Sequence, residues 1–133
     1  MGKYFTVAEL CHSRTATEQG IDNTPPPDVK VRLIALITNC LDPIREIWGA
    51  PVIVNSGFRT LTLNKAVSGA SGSQHMKGEA ADITVGSPEK NRQLFSMIQA
   101  AGIPFDQLID EKNYAWLHIS WKASGNRGQV LHL

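Results

Sequence analysis

Phe105-Asp106-Gln107-Leu108-Ile109-Asp110-Glu111, then Lys112-Asn113-Tyr114-Ala115, then Trp116-Leu117-His118-Ile119-Ser120-Trp121, is the stretch whose reading decides the fold. Two short runs carrying Phe, Leu, Ile and Trp flank a four-residue polar connection, a usual length for a hairpin loop. The runs are therefore expected to pair as antiparallel strands. With Glu111 opposite Trp116 at the loop, Ile109 faces His118, and alternation puts Gln107, Glu111, Trp116 and His118 on one face of the sheet. Asp110 points to the other face.

Further strands are expected upstream. Pro51-Val52-Ile53-Val54-Asn55 is a β-branched run closed by Ser56-Gly57, with Phe58 and Arg59 at its exit, and residues 79–85 form a second run that carries Asp82. Between them, residues 61–67 suit a helical turn or two, and Ser68-Gly69-Ala70-Ser71-Gly72-Ser73 is a glycine and serine loop that leads to His75. Ser87-Pro88 has the residue types of an N-cap and first helical position, so a helix is expected from there to about Ala101, stopped by Gly102.

The N-terminal half reads as helical. Residues 4–11 suit a short helix. Over residues 28–48, Leu33, Ile37, Leu41, Ile44 and Trp48 recur at spacings of three and four, widened by Ile34, Leu36 and Cys40. This pattern predicts an amphipathic helix, interrupted near Pro43 and ended by Gly49. Residues 13–27, polar and proline-rich, are expected to wrap over the surface without regular structure. Helices followed by strands interleaved with helices, ending in a hairpin, give an α+β fold with a small antiparallel sheet packed with helices.

Composition limits the partners. A chain of 133 residues fits a single domain, 1–133, that buries a core without disulfide staples. Thirteen Lys and Arg against twelve Asp and Glu leave a net charge of +1, with no basic field for a phosphate backbone, so no nucleic acid is expected as partner. Met1-Gly2-Lys3-Tyr4-Phe5 opens a segment without the apolar core of a signal peptide, and no run approaches the length of a membrane span. Cytoplasmic synthesis without a signal peptide is expected, with any target outside reached after release. Cys11 and Cys40 are expected to be free thiols rather than a disulfide or a nucleophile. A monomer is expected.

Three residues stand out as metal ligands. Asp82 lies among small and apolar neighbours, Ala80-Ala81-Asp82-Ile83, where a buried unpaired carboxylate is strongly penalised. It needs a cation or a hydrogen-bond network. His75 and His118 supply two imidazoles, and with Asp82 they match an open zinc site, in which three protein ligands leave a fourth position free. Such a site implies hydrolysis. Taken singly, His75 reads more readily as a solvated loop residue than as a ligand, while a satisfied core histidine is the alternative for His118 and a turn acceptor the alternative for Asp82.

Ser73-x-His75-x-x-Gly78-x-Ala80-x-Asp82, Trp116-x-His118 and Ser56-Gly57-Phe58-Arg59 together resemble the zinc D-alanyl-D-alanine carboxypeptidase family, whose fold is shared by hedgehog signalling domains. The resemblance runs from about Phe5 to Ser120 and is closest to the small branch often carried by bacteriophages. It implies Zn²⁺ held by His75, Asp82 and His118, a hedgehog/DD-peptidase-like fold, and hydrolysis of peptide bonds involving D-amino acids in bacterial peptidoglycan, as a carboxypeptidase or an endolysin-like endopeptidase. It also places Arg59 beside the metal as a grip for a carboxylate or an oxyanion.

One departure concerns the general base. The resembling enzymes commonly carry an acidic residue three positions before the last histidine, where this chain has Ala115. Strand alternation makes Glu111 the candidate, because it shares the His118 face. A solvated Glu at a strand end fits the same position. Ser73 and Gln107 are candidates for substrate contact, Trp116 for the core or cleft wall, Glu79 for exposed polarity, and His12 and His132 for the surface. A noncatalytic zinc-stabilised wall-binding or virion-structural domain is the alternative, kept open by Ala115.

Overall fold

The computed structural model describes residues 3–133; Met1 and Gly2, part of the segment read as leaderless and of the 1–133 domain, lie outside the described residues. Thr6 accepts a hydrogen bond from the Glu9 amide and opens α1 (Val7–Cys11), while Ser13 does the same for Ala16 at the start of α2 (Arg14–Gln19). The second helix corrects the expectation of an irregular segment over residues 13–27. Its cue is the Ser13 cap, which supplies an acceptor to an otherwise orphan amide and outweighs the poor helix propensity of Thr15 and Thr17.

The long amphipathic segment forms in three pieces, α3 (Pro27–Leu36), a π-helical turn over Ile37–Leu41 and α4 (Asp42–Trp48). Pro43 accounts for the break. It has no N–H for the carbonyl four residues back, so the preceding turn widens, and the Asp42 amide donates to Ile37, five residues back. Gly49 ends the helix as expected. Leu33, Leu36, Ile37, Cys40, Leu41 and Ile44 are wholly buried. Burying an aliphatic side chain of this size typically contributes about 1.5–3 kcal/mol.

The sheet has five strands, β1 (Ile53–Ser56), β2 (Ala80–Thr84), β3 (Gln107–Glu111), β4 (Trp116–Ser120) and β5 (Gln129–His132), in the order β1-β2-β4-β3-β5. Neighbours run antiparallel except β3 and β5, which are parallel. The hairpin forms in the expected register, with Glu111 opposite Trp116 and Ile109 opposite His118. β5 corrects the expectation that the chain ends in that hairpin: Gln129 to His132 pair with Gln107 to Asp110 along its outer edge.

Ala81, Ile83, Leu108, Leu117 and Ile119 are buried on one face of the sheet and join the helical side chains in one core. α6 (Pro88–Ala100), capped by Ser87, packs on β3 and β4, and α5 (Leu61–Ala66) follows the exit of β1. The other face carries Asp82, His118, Ile109, Gln107 and Glu111 and is left open as a cleft. The strands thus separate packing from chemistry by alternation alone.

Candidate metal centre

Asp82 and His118 stand directly opposite one another on β2 and β4. Side chains paired across antiparallel strands lie within contact distance, and His118 Nδ1 is 3.1 Å from Asp82 Oδ1. His75 arrives from outside the sheet on a 3₁₀ turn (Gln74–Lys77) and places Nε2 3.4 Å from the same oxygen. The turn starts at Ser73, whose hydroxyl accepts from the His75 amide at 3.2 Å. It ends at Gly78, with φ of +75°, where a Cβ would stand 2.9 Å from Val29 Cγ1 on α3. Any other residue there would meet both backbone strain and a clash.

The ring of His75 is fixed from behind. Its Nδ1 lies 2.7 Å from the Gly57 carbonyl oxygen. A carbonyl only accepts, so Nδ1 carries the proton and Nε2 is the nitrogen turned toward Asp82. Gly57 is itself held against α1: the Phe58 amide donates to Leu10 O at 2.7 Å, and a Cβ on Gly57 would lie 2.1 Å from that oxygen. This contact fits only glycine.

The donor set fits zinc. Two imidazole nitrogens and one carboxylate oxygen lie within 4.8 Å of one another. Zinc bonds of about 2.0–2.2 Å at tetrahedral angles keep ligand atoms about 3.3–3.6 Å apart, and the 3.1 and 3.4 Å separations lie close to that range. A hydrogen bond from His75 to a backbone carbonyl is the usual support of a metal-bound imidazole. Side-chain exposures of 3% for His75, 12% for His118 and 17% for Asp82 leave the cluster sheltered yet reachable from the cleft. Burial works against ionisation of Asp82, but hydrogen bonds and charge from His118 and His75 outweigh it and hold the carboxyl well below its usual range.

The cleft above the cluster measures about 910 Å³. Arg59, Ser73, Gln107, Glu111 and Trp116 all line it. Arg59 donates its backbone N–H to His75 O at 3.1 Å and Nη2 to Ser73 Oγ at 3.3 Å, while its buried Nε has no protein partner. Burial lowers the proton affinity of its guanidinium, and the charges of Asp82 and Glu111 oppose that shift. An arginine in this position stays cationic.

Glu111 Oε2 accepts from Trp116 Nε1 at 3.2 Å. Ala115 is exposed beside them and lies outside the cleft lining. Asp110 faces away, buried against His132 of β5, so that exposed histidine has a partner. Gln107 Nε2 is engaged by Gln129 Oε1 at 2.8 Å.

Some lining residues escaped the sequence reading. Glu79, read as exposed, is half-buried and borders the cleft. Asp106, Lys112, Lys122 and Arg127 also border it. Asp106 is wholly buried and takes Arg127 Nε at 3.0 Å and Nη2 at 2.8 Å. The hydrogen bonds from Arg127 hold its carboxyl well below the usual range. No periodicity marks these residues, because they meet through loops. Cys11 and Cys40 are free, and burial pushes the Cys40 thiol up to about 12, which rules it out as a thiolate nucleophile at neutral pH.

A family model described as Peptidase M15 matches residues 3–120, a stretch that contains His75, Asp82 and His118. The zinc D-Ala-D-Ala carboxypeptidase of Streptomyces albus G is 48% identical over 85 residues, which cover 62% of this chain but only 32% of that protein's length. The expected kinship is borne out by the family model: the chain belongs to the peptidase M15 family.

Proposed function

We propose that this chain is a zinc-dependent peptidase that hydrolyses peptide bonds involving D-amino acids in bacterial peptidoglycan. The observation that carries the reading is the sheltered His75, Asp82 and His118 cluster at the floor of an open cleft shared with Arg59 and Glu111. His75 through Nε2, His118 through Nδ1 and Asp82 through a carboxylate oxygen would hold the metal. Zinc bound there supplies Lewis acidity, which polarises a carbonyl and makes water a nucleophile near neutral pH.

The remaining steps belong to side chains. Glu111 takes the proton of the attacking water on a carboxylate oxygen and passes it to the leaving amine. Trp116 Nε1 orients that carboxylate by its bond to Oε2. Arg59 holds a peptide carboxylate or the oxyanion through charge-assisted bonds, with Ser73 fixing one arm of the guanidinium. Gln107 borders the substrate path. The relative from Streptomyces albus G is named for carboxypeptidase action on D-Ala-D-Ala, which supports the same bond class here. An endolysin-like role in a bacteriophage, as a monomer acting on the wall after release or as part of a phage particle, is part of the reading and rests on the resemblance to the small branch.

A second reading, a noncatalytic zinc-stabilised wall-binding or virion-structural domain, draws on Ala115 at the position where an acidic residue is common. Incubation of zinc-loaded and chelator-treated protein with purified peptidoglycan separates the two. Peptides released only by the zinc form, identified by mass spectrometry, support the enzyme and reveal the bond cut. Binding to the wall without zinc-dependent products from walls of several chemotypes supports the alternative.

A further inference from the structure

Asn23 lies in the connection between α2 and α3, far from the metal cluster in sequence, and uses its whole amide on three backbone groups. Nδ2 donates to Cys11 O and to Phe58 O, each at 2.9 Å, and Oδ1 accepts from the Thr60 amide at 2.9 Å. Phe58 and Thr60 are the neighbours of Arg59 on either side. One side chain therefore grips the peptide groups before and after the arginine and ties both to the end of α1. The Arg59 amide is held to His75 O, which leaves the backbone at this point little freedom to rotate.

The chemistry of the clamp specifies asparagine. It needs two N–H donors and one acceptor on a single short side chain, which a carboxamide supplies and a carboxylate does not. We propose that Asn23 is a positioning residue for substrate specificity: it aims Arg59 at the carboxylate of the peptide beside the bond to be cleaved. The assignment rests on the reading of Arg59 as the carboxylate grip. A guanidinium on a long side chain selects a carboxylate sharply only if its base is fixed, because each added rotamer reduces the fraction of molecules with the fork in place.

The test uses the zinc-loaded protein, an N-acylated wall peptide ending in D-Ala-D-Ala, and the same peptide with a terminal carboxamide. Asn23→Asp keeps the size but sets an oxygen against the carbonyls of Cys11 and Phe58. The wild type is expected to prefer the carboxylate. Arg59→Ala removes that preference. Asn23→Asp lowers kcat/KM on the carboxylate peptide by about tenfold, mainly through KM, and leaves the carboxamide peptide within about twofold, as loss of one charge-assisted contact predicts. In the Arg59→Ala background it has no further effect on preference.

A merely structural role would lower both peptides alike, and that result overturns the proposal. Loss of preference in Arg59→Ala but not in Asn23→Asp removes Asn23 alone. Retained preference in Arg59→Ala, or no cleavage of either peptide by the wild type, removes the carboxylate grip and the clamp's proposed purpose with it. Asn23→Ala, which leaves no opposing oxygen, repeats the measurement if Asn23→Asp does not fold. Failure of both to fold makes Asn23 a folding residue and overturns the assignment.

Discussion

Asp110 and Glu111 are adjacent carboxylates with opposite surroundings. Alternation sends Asp110 into the packed side, against His132, and Glu111 into the cleft, where Trp116 donates to one oxygen. Glu111→Gln keeps the shape and an acceptor for Trp116 but cannot take a proton. It is expected to lower kcat by about 10²-fold or more while zinc content stays at the wild-type level. Asp110→Asn should instead lower thermal stability with kcat little changed. The reverse pattern, measured by turnover and metal analysis on both variants, would move the proton-transfer role to Asp110.

Among the elements, the hairpin was legible because two signals agreed: alternation set the faces and the loop length set the register. The capped helix α6 was legible from Ser87-Pro88 for an equally local reason. β5 was not. Its four residues carry no pattern of their own, and their partner strand, β3, lies beyond both β4 and the loop at 121–128. α2 was hidden by a composition that suits a loop as well as a short helix. In the site, the three candidate ligands stood out in a spaced motif, whereas Asn23, Asp106 and Asn91 did not, since each acts through hydrogen bonds to distant backbone or side-chain groups. Asn91 of α6, wholly buried, accepts from the Val85 amide at 2.8 Å and donates to Tyr114 O at 2.9 Å. It pins the tight loop after Glu111, in which Lys112, Asn113 and Tyr114 all have positive φ. Asn91→Ala leaves buried polar groups without partners, and about 1–3 kcal/mol per group is the expected cost. Chemical denaturation measures it; a loss below about 0.5 kcal/mol, the range of ordinary surface changes, would show that the loop holds itself.

For the whole molecule, charge is nearly balanced at +1 and no helix among the described residues is long and apolar enough to cross a membrane. Acid sensitivity should then come from particular pairs, and Asp106 is the clearest. Its carboxyl is held low by Arg127, so its contribution to stability is complete above the ordinary aspartate value of about 3.9 and fades as pH falls below that toward the folded value. Asp106→Asn is therefore expected to be less stable at neutral pH and to lose stability less steeply below about pH 4. Denaturant midpoints across pH, taken with chelator present so that metal release does not contribute, read the two slopes. Parallel slopes would remove Asp106 from the acid transition.

The contact of Leu10 with the Gly57 and Phe58 backbone has a practical consequence for anyone shortening this chain. All three candidate ligands lie at or beyond His75, so a fragment beginning after Cys11 would keep each of them. It would nevertheless lose the carbonyl that docks the Phe58 amide, and with it the anchorage of the neighbouring Gly57 oxygen that orients the His75 ring. The smallest unit able to bind metal tightly is thus set by the first helix and not by the first ligand.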